Sequence, residues 1–136
     1  MSTESQQEQG LAPGLSAEVE ITVSERETAA QLGSGLVPVY ATPALVALME
    51  NAAVRTLEGY LQPGTSSVGA QIDLHHLAAT PVGMKVRARA ELAEVHGRKL
   101  VFRIQAWDEV ELVGEASHVR FLVDQSVFVT KVNAKK

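Results

Sequence analysis

TPALVALMENAAVRTLEGY, residues 42–60, is the stretch whose reading decides the fold. Pro43 suits the first helical position, where a missing N–H costs nothing because the first turn leaves it unbonded anyway. Thr42 is pushed by that proline toward the extended region where an N-cap belongs, and a threonine hydroxyl is a good cap. Gly59 is placed to end the helix. On a wheel of about 100° per residue, Asn51, Arg55 and Glu58 gather into a solvent stripe. Leu45, Val46, Met49, Ala53, Val54 and Leu57 fill the opposite arc, and Glu50 falls inside it. A long helix this apolar has to be covered by something.

Its cover is legible on both sides. Ahead of it, Ala17 to Ser24 alternates Val19, Ile21 and Val23 with polar residues, the period of a half-buried strand. Ser24 and Glu27 then form a capping box for a short helix, ERETAAQL, stopped by Gly33. After Ser66 the chain reads as strands. Val68, Ala70, Ile72, Leu74 and His76 share one face of the first, and Val86, Ala88, Ala90 and Leu92 one face of the second. Leu100, Phe102, Ile104 and Ala106 do the same in a third, before a long last strand within residues 110–123. HGR at 96–98 and DE at 108–109 read as hairpin connections. The order, strand then helices then an antiparallel meander, implies an α+β fold with the sheet curled around the long helix.

Bulk composition removes whole classes of function. At 136 residues, with 46% apolar and 21% charged residues, the chain reads as one globular domain with no run long enough to span a membrane. Residues 1–16 are rich in Gln, Ser, Glu, Gly and Pro without periodicity and read as a disordered tail, leaving 17–136 as the domain. No basic-then-apolar leader opens the sequence, so the cytoplasm is expected. With no cysteine, thiolate nucleophiles and cysteine zinc sites are excluded. A net charge of -4 argues against a nucleic-acid partner. The basic row of Lys85, Arg87 and Arg89 is followed by Glu91 and reads as a solvated strand face.

Three residues break the apolar pattern. Glu50 sits in the helix's apolar arc, where a carboxylate is costly unless paired or hydrogen-bonded. By parity His76 lies with Ile72 and Leu74 on the strand face turned to the helix, while His75 points the other way. Glu50 and His76 at one seam would pair and give an oriented imidazole; the alternative is a buried ion pair or satisfied core histidine of no catalytic use. Thr42 is either only a cap, worth about 1 kcal/mol, or part of a helix N-terminus that stabilises a polarised carbonyl. Adjacent strand histidines cannot chelate one ion together, and no other histidine stands at ligand spacing, so no metal is expected.

At ATPALVALMENAA (41–53), SSVGAQIDLHHLAATPVGMKVRARAELAEVHGRKLVFRIQAWD (66–108) and GEASHVRFLV (114–123), the sequence resembles the hot-dog-fold acyl-CoA thioesterases related to fluoroacetyl-CoA thioesterase. The resemblance runs from about Val19 to Val123 and rests on these motifs in combination. It implies a hot-dog fold, an antiparallel sheet wrapped around one long central helix. It further implies a homodimer with active sites at the subunit interface, and leaves dimer against tetramer open. Thr42, Glu50 and His76 match the family's catalytic triad, and Gly69 and Arg120 match positions that contact acyl-CoA or shape the site. The segment AAQLGSGLVPVY (29–40) departs from the family: Gln31, Leu32, Gly33 and Leu36 supply no phenylalanine for the aromatic lid on which fluoroacetyl specificity depends.

The expected activity is therefore hydrolysis of a short- or medium-chain acyl-CoA, with CoA as part of substrate and product and no further cofactor. Two rivals share the fold. One is hydration or dehydration of an enoyl-CoA; the other is a non-catalytic acyl-CoA binder in which Glu50 and His76 only stabilise the seam.

Overall fold

The computed structural model describes residues 10–136. Its elements are β1 (Ser16–Thr22), a 3₁₀ turn (Glu25–Glu27), α1 (Ala29–Leu32), α2 (Thr42–Thr56), β2 (Thr65–His76), β3 (Lys85–His96), β4 (Lys99–Trp107), β5 (Leu112–Asp124) and α3 (Gln125–Asn133). The five strands form one antiparallel sheet in the order β1-β3-β4-β5-β2. The predicted alternation holds in β3 and β4, where Val86, Ala88, Ala90, Leu92, Leu100, Phe102 and Ala106 are completely buried against α2. Leu45, Leu48, Met49, Ala52, Ala53 and Thr56 form the helix's buried face. The small Ala52 and Ala53 let that face lie close to the sheet.

The meander is shorter than the sequence suggests. Only β3, β4 and β5 are consecutive neighbours; β2 pairs with β5 at one edge, and β1 with β3 at the other. The β2-to-β3 connection, residues 77–84, is too long for a tight hairpin and carries the chain across. It is pinned to the segment before α2 by a bridge between Val39 and Pro81 and by the Tyr40 N–H donating to the Thr80 carbonyl at 2.9 Å. This clamp holds the end of β2 beside the start of α2.

Four further departures have local causes. The expected short helix divides into the 3₁₀ turn, with Ser24 and Glu27 forming the capping box, and α1, capped by Thr28 and closed by Gly33 at φ 72°. Ala41, not Thr42, is the extended N-cap of α2, so Thr42 is already helical and its hydroxyl is free of capping. The first nine residues of the expected tail lie outside the described residues, but Leu11 is buried and Leu15 packs on the core. The Leu92 N–H also donates to the Leu15 carbonyl at 2.8 Å, so packing begins before Ala17. Finally, α3 follows β5 where no helix was foreseen; the Asp124 carboxylate caps it by accepting from the Val127 N–H at 3.1 Å. Among the described residues no helix is long and apolar enough to cross a membrane.

Candidate active site

Thr42 and His76 meet at the amino end of α2. Thr42 Oγ1 and His76 Nδ1 are 2.8 Å apart. Strand parity turns His76 inward with Ile72 and Leu74, while Asp73 and His75 face solvent, as expected. His76 Nε2 is buried and has no hydrogen-bond partner among the described residues. Burial pushes the imidazole below its ordinary value of 6.5, opposed by a hydrogen bond with the Ala78 backbone, so the neutral ring is favoured near neutral pH. Beside the pair opens a cleft of about 340 Å³, lined by Ala29, Ser34, Tyr40 and Ala78 as well as the pair itself. A helix amino end, a hydroxyl and a neutral imidazole with a free nitrogen can polarise a carbonyl and move a proton.

A second cluster lies further along the same helix and strand. Glu50 Oε2 is 3.4 Å from Arg120 Nη1 and 3.9 Å from His118 Nε2. Arg120, only 6% exposed, also donates from Nε to Ser67 Oγ at 2.9 Å and from Nη2 to the Ser67 carbonyl at 3.1 Å. Burial pulls its pKa down and Glu50 opposes that fall, so the carboxylate helps hold the guanidinium charged in a dry place. Gly69 lies directly opposite Arg120 in the β2–β5 register. A Cβ there would stand 2.6 Å from Glu50 Oε2 and 3.3 Å from Arg120 Nη1. Glycine is what allows the carboxylate to rest on the strand backbone.

The register shift between Gly69 and Gln71 explains why Gly69 faces inward. Ala70 is the extra residue of a β-bulge, so the inward set runs through Gly69 and then Ile72, Leu74 and His76, and not through Val68 and Ala70 as unbroken alternation predicts. Arg120 shares the inward face of β5 with Ala116, His118 and Leu122. His118 is 1% exposed and was missed in the sequence. Its signal was there: two polar residues, His118 and Arg120, at alternate positions on a face otherwise apolar.

The five predicted site residues thus form two groups within the chain: Thr42 with His76, and Glu50 with Gly69 and Arg120. The pairing of Glu50 with His76 at one seam is not what this chain makes. Thr42 and Glu50 are eight residues apart on one helix, about 12 Å of rise, and His76 sits at the Thr42 end. Glu50 also lies less deep than its wheel position suggested, with its side chain 40% exposed, because that flank of α2 borders the edge strand β2. Among the described residues no three His, Asp or Glu side chains converge as a metal site.

Comparison with known proteins meets this geometry. A sequence profile of the family described as fluoroacetyl-CoA-specific thioesterase matches residues 23–126. A fluoroacetyl-CoA thioesterase of Streptantibioticus cattleyicolor is 43% identical over 97 residues, covering 71% of this chain and 70% of that one. A solved structure of the fluoroacetyl-CoA thioesterase, 35% identical, superposes with a TM-score of 0.89 over 93% of this chain and 98% of the other. A hot-dog-like protein from Thermanaerovibrio acidaminovorans, 23% identical, shares the fold with a TM-score of 0.86, covering 94% of this chain and 95% of its own. The five-stranded antiparallel sheet around α2 is thus the expected hot-dog fold, and the chain belongs to the fluoroacetyl-CoA-specific thioesterase family.

Proposed function

We propose that this protein hydrolyses short- or medium-chain acyl-CoA thioesters to free acid and CoA. The observation that carries the reading is the 2.8 Å contact of Thr42 with a partly buried His76 at the amino end of α2, beside an open cleft. It stands in a chain 43% identical to a fluoroacetyl-CoA thioesterase. The acyl carbonyl lies against the helix amino end and the Gly69 N–H, which stabilise the developing oxyanion. His76 works through Nδ1, which meets Thr42, because its Nε2 is buried and keeps the ring proton; two routes follow. In one, Thr42 Oγ1 takes a proton from water and passes its own to Nδ1 as the water oxygen bonds to the carbonyl carbon. In the other, Nδ1 accepts from the Thr42 hydroxyl, which attacks and forms an acyl-threonine that water later opens. In both, the C–S bond breaks and the proton held by His76 passes to the CoA thiolate.

Assembly completes the site. We take the working form to be a homodimer in which Thr42 and His76 of one subunit face Glu50, Gly69 and Arg120 of the other. Two observations support this: the residues are split within the chain, and the twelve-residue β2 ends the sheet as an edge. Edge strands invite pairing unless blunted. The β1 edge carries Glu18 and Glu20, whereas β2 exposes the small Gly69 and Ala70 in its middle. CoA enters as part of the substrate, and the steps above need no metal or further cofactor. Tyr40 is buried in the cleft wall, while Leu36, 96% exposed, and the small Ala29 and Ser34 give residues 29–36 no aromatic to cover it, which favours a broad acyl preference over fluoroacetyl selectivity.

The test is a series of saturated acyl-CoA thioesters of rising chain length with a thiol-trapping dye. Thiol release that peaks in the short-to-medium range and is lost in His76→Ala supports the reading. Tight acyl-CoA binding without thiol release, or turnover confined to a 2-enoyl thioester, overturns it.

A further inference from the structure

His118 is used by neither half of the proposed chemistry, yet it is a polar side chain enclosed beside it, 1% exposed. Both ring nitrogens have assigned partners. Nδ1 is 2.7 Å from the Gln71 carbonyl, which can only accept, so Nδ1 carries the proton. Nε2 is 3.2 Å from Arg120 Nη1, which can only donate, so Nε2 carries none. The two hydrogen-bond partners favour one neutral tautomer, and the Glu50 carboxylate, 3.9 Å from Nε2, is the group that would draw a proton there instead. The Gln71 carbonyl belongs to the bulge that turns Gly69 inward, and Arg120 is the cation that meets Glu50.

We propose that His118 is a positioning residue whose neutral ring ties the β2 bulge to the Arg120 guanidinium and thereby sets where the Glu50 carboxylate rests. This rests on the reading of Glu50 and Arg120 as site residues. Glu50 from α2 and Arg120 from β5 are the charged groups facing the ring; β2 offers the Gln71 carbonyl and the Gly69 backbone, and β4 the ring of Phe102, with centroids 6.1 Å apart. A second proton, on Nε2, would break the bond to Arg120 and set two cations together. Burial, the largest cause, and Arg120 both push the His118 pKa below 6.5, while the Gln71 carbonyl and Glu50 oppose them, so the neutral state extends into mild acid.

The two amide replacements separate the two bonds. His118→Asn keeps a donor near the Nδ1 position and loses the acceptor for Arg120; His118→Gln reaches the Nε2 position with an acceptor oxygen. The full chain, labelled with ¹⁵N, is examined by NMR at the ring and guanidinium nitrogens, and kcat and KM are measured on the best saturated acyl-CoA. The proposal expects a neutral Nδ1–H ring in the wild type and a slowly exchanging Arg120 guanidinium that His118→Asn releases. It expects kcat to fall about tenfold in His118→Asn with KM little changed, and about threefold or less in His118→Gln. A proton on Nε2, an Arg120 signal indifferent to His118→Asn, or kcat losses that merely follow the thermal midpoint in both variants would overturn it. Glu50→Gln at full turnover would remove the proposed role of Glu50 instead, and the ring and guanidinium signals would still decide what His118 holds.

Discussion

Gly69 shows how much of the site depends on a missing side chain. An alanine methyl would sit 2.6 Å from Glu50 Oε2, and because that oxygen ends a flexible side chain the carboxylate moves while the strand stays. Gly69→Ala is expected to keep the thermal midpoint within a few degrees and to lower kcat/KM at least tenfold, read from acyl-CoA hydrolysis and a melting curve. His76→Ala removes the proposed base and should cost about 10²–10⁴ in kcat, again with folding intact. The His76 environment also sets a pH limb. Its folded pKa lies below 6.5, and the base form is the neutral ring, so the acid limb of log(kcat/KM) should have its midpoint below 6.5. A limb centred above 6.5 would mean that some other group is the base. Thr42, Glu50, His76 and Arg120 could each be singled out in the sequence by pattern or by motif. The split into two groups could not, since helix rise and strand register decide it only once β2 is laid beside α2.

At the scale of elements, the sequence reads well where alternation is unbroken and fails at each local irregularity. β4, and β3 as far as Leu92, follow their apolar period residue by residue, whereas the bulge at Ala70 reverses the parity of half of β2 and a second register shift, at Ala93, turns Val95 rather than Glu94 toward the core. No residue type in VGAQ announces that bulge; the inward demand of Gly69 opposite Arg120 does. α3 was unreadable for a different reason. Val127, Val129, Thr130 and Val132 are β-branched, poor helix formers, and the helix depends on its cap. Asp124→Ala should therefore fray α3 at a cost of about 0.5–2 kcal/mol, seen as lost helical circular dichroism, with little further loss because α3 buries no residue. α2 is held more tightly: a Cβ on Gly114 would stand 2.9 Å from Leu45 Cδ2 and 3.1 Å from Met49 Cε. Gly114→Val would wedge α2 away from β5 and should cost about 1–3 kcal/mol in denaturant unfolding.

The molecule as a whole carries two histidines whose folded pKa values are lowered, His76 and His118. Unfolded, both would titrate near 6.5, so below that pH the unfolded chain binds protons that the folded chain refuses. Stability should be level above pH 6.5 and fall as pH drops from 6.5 toward the folded values, a loss that melting curves across mild acid will show and that His118→Gln will lessen. The same scale decides the active site. If Thr42 and His76 of one subunit work with Glu50 of the other, two inactive variants complement each other. His76→Ala and Glu50→Gln homodimers should each be nearly silent. After equimolar subunit exchange, half the dimers are mixed and each has one intact site, so about a quarter of wild-type acyl-CoA turnover should return. A mixture as silent as its parents, with exchange verified and the wild type active, would contradict the shared site.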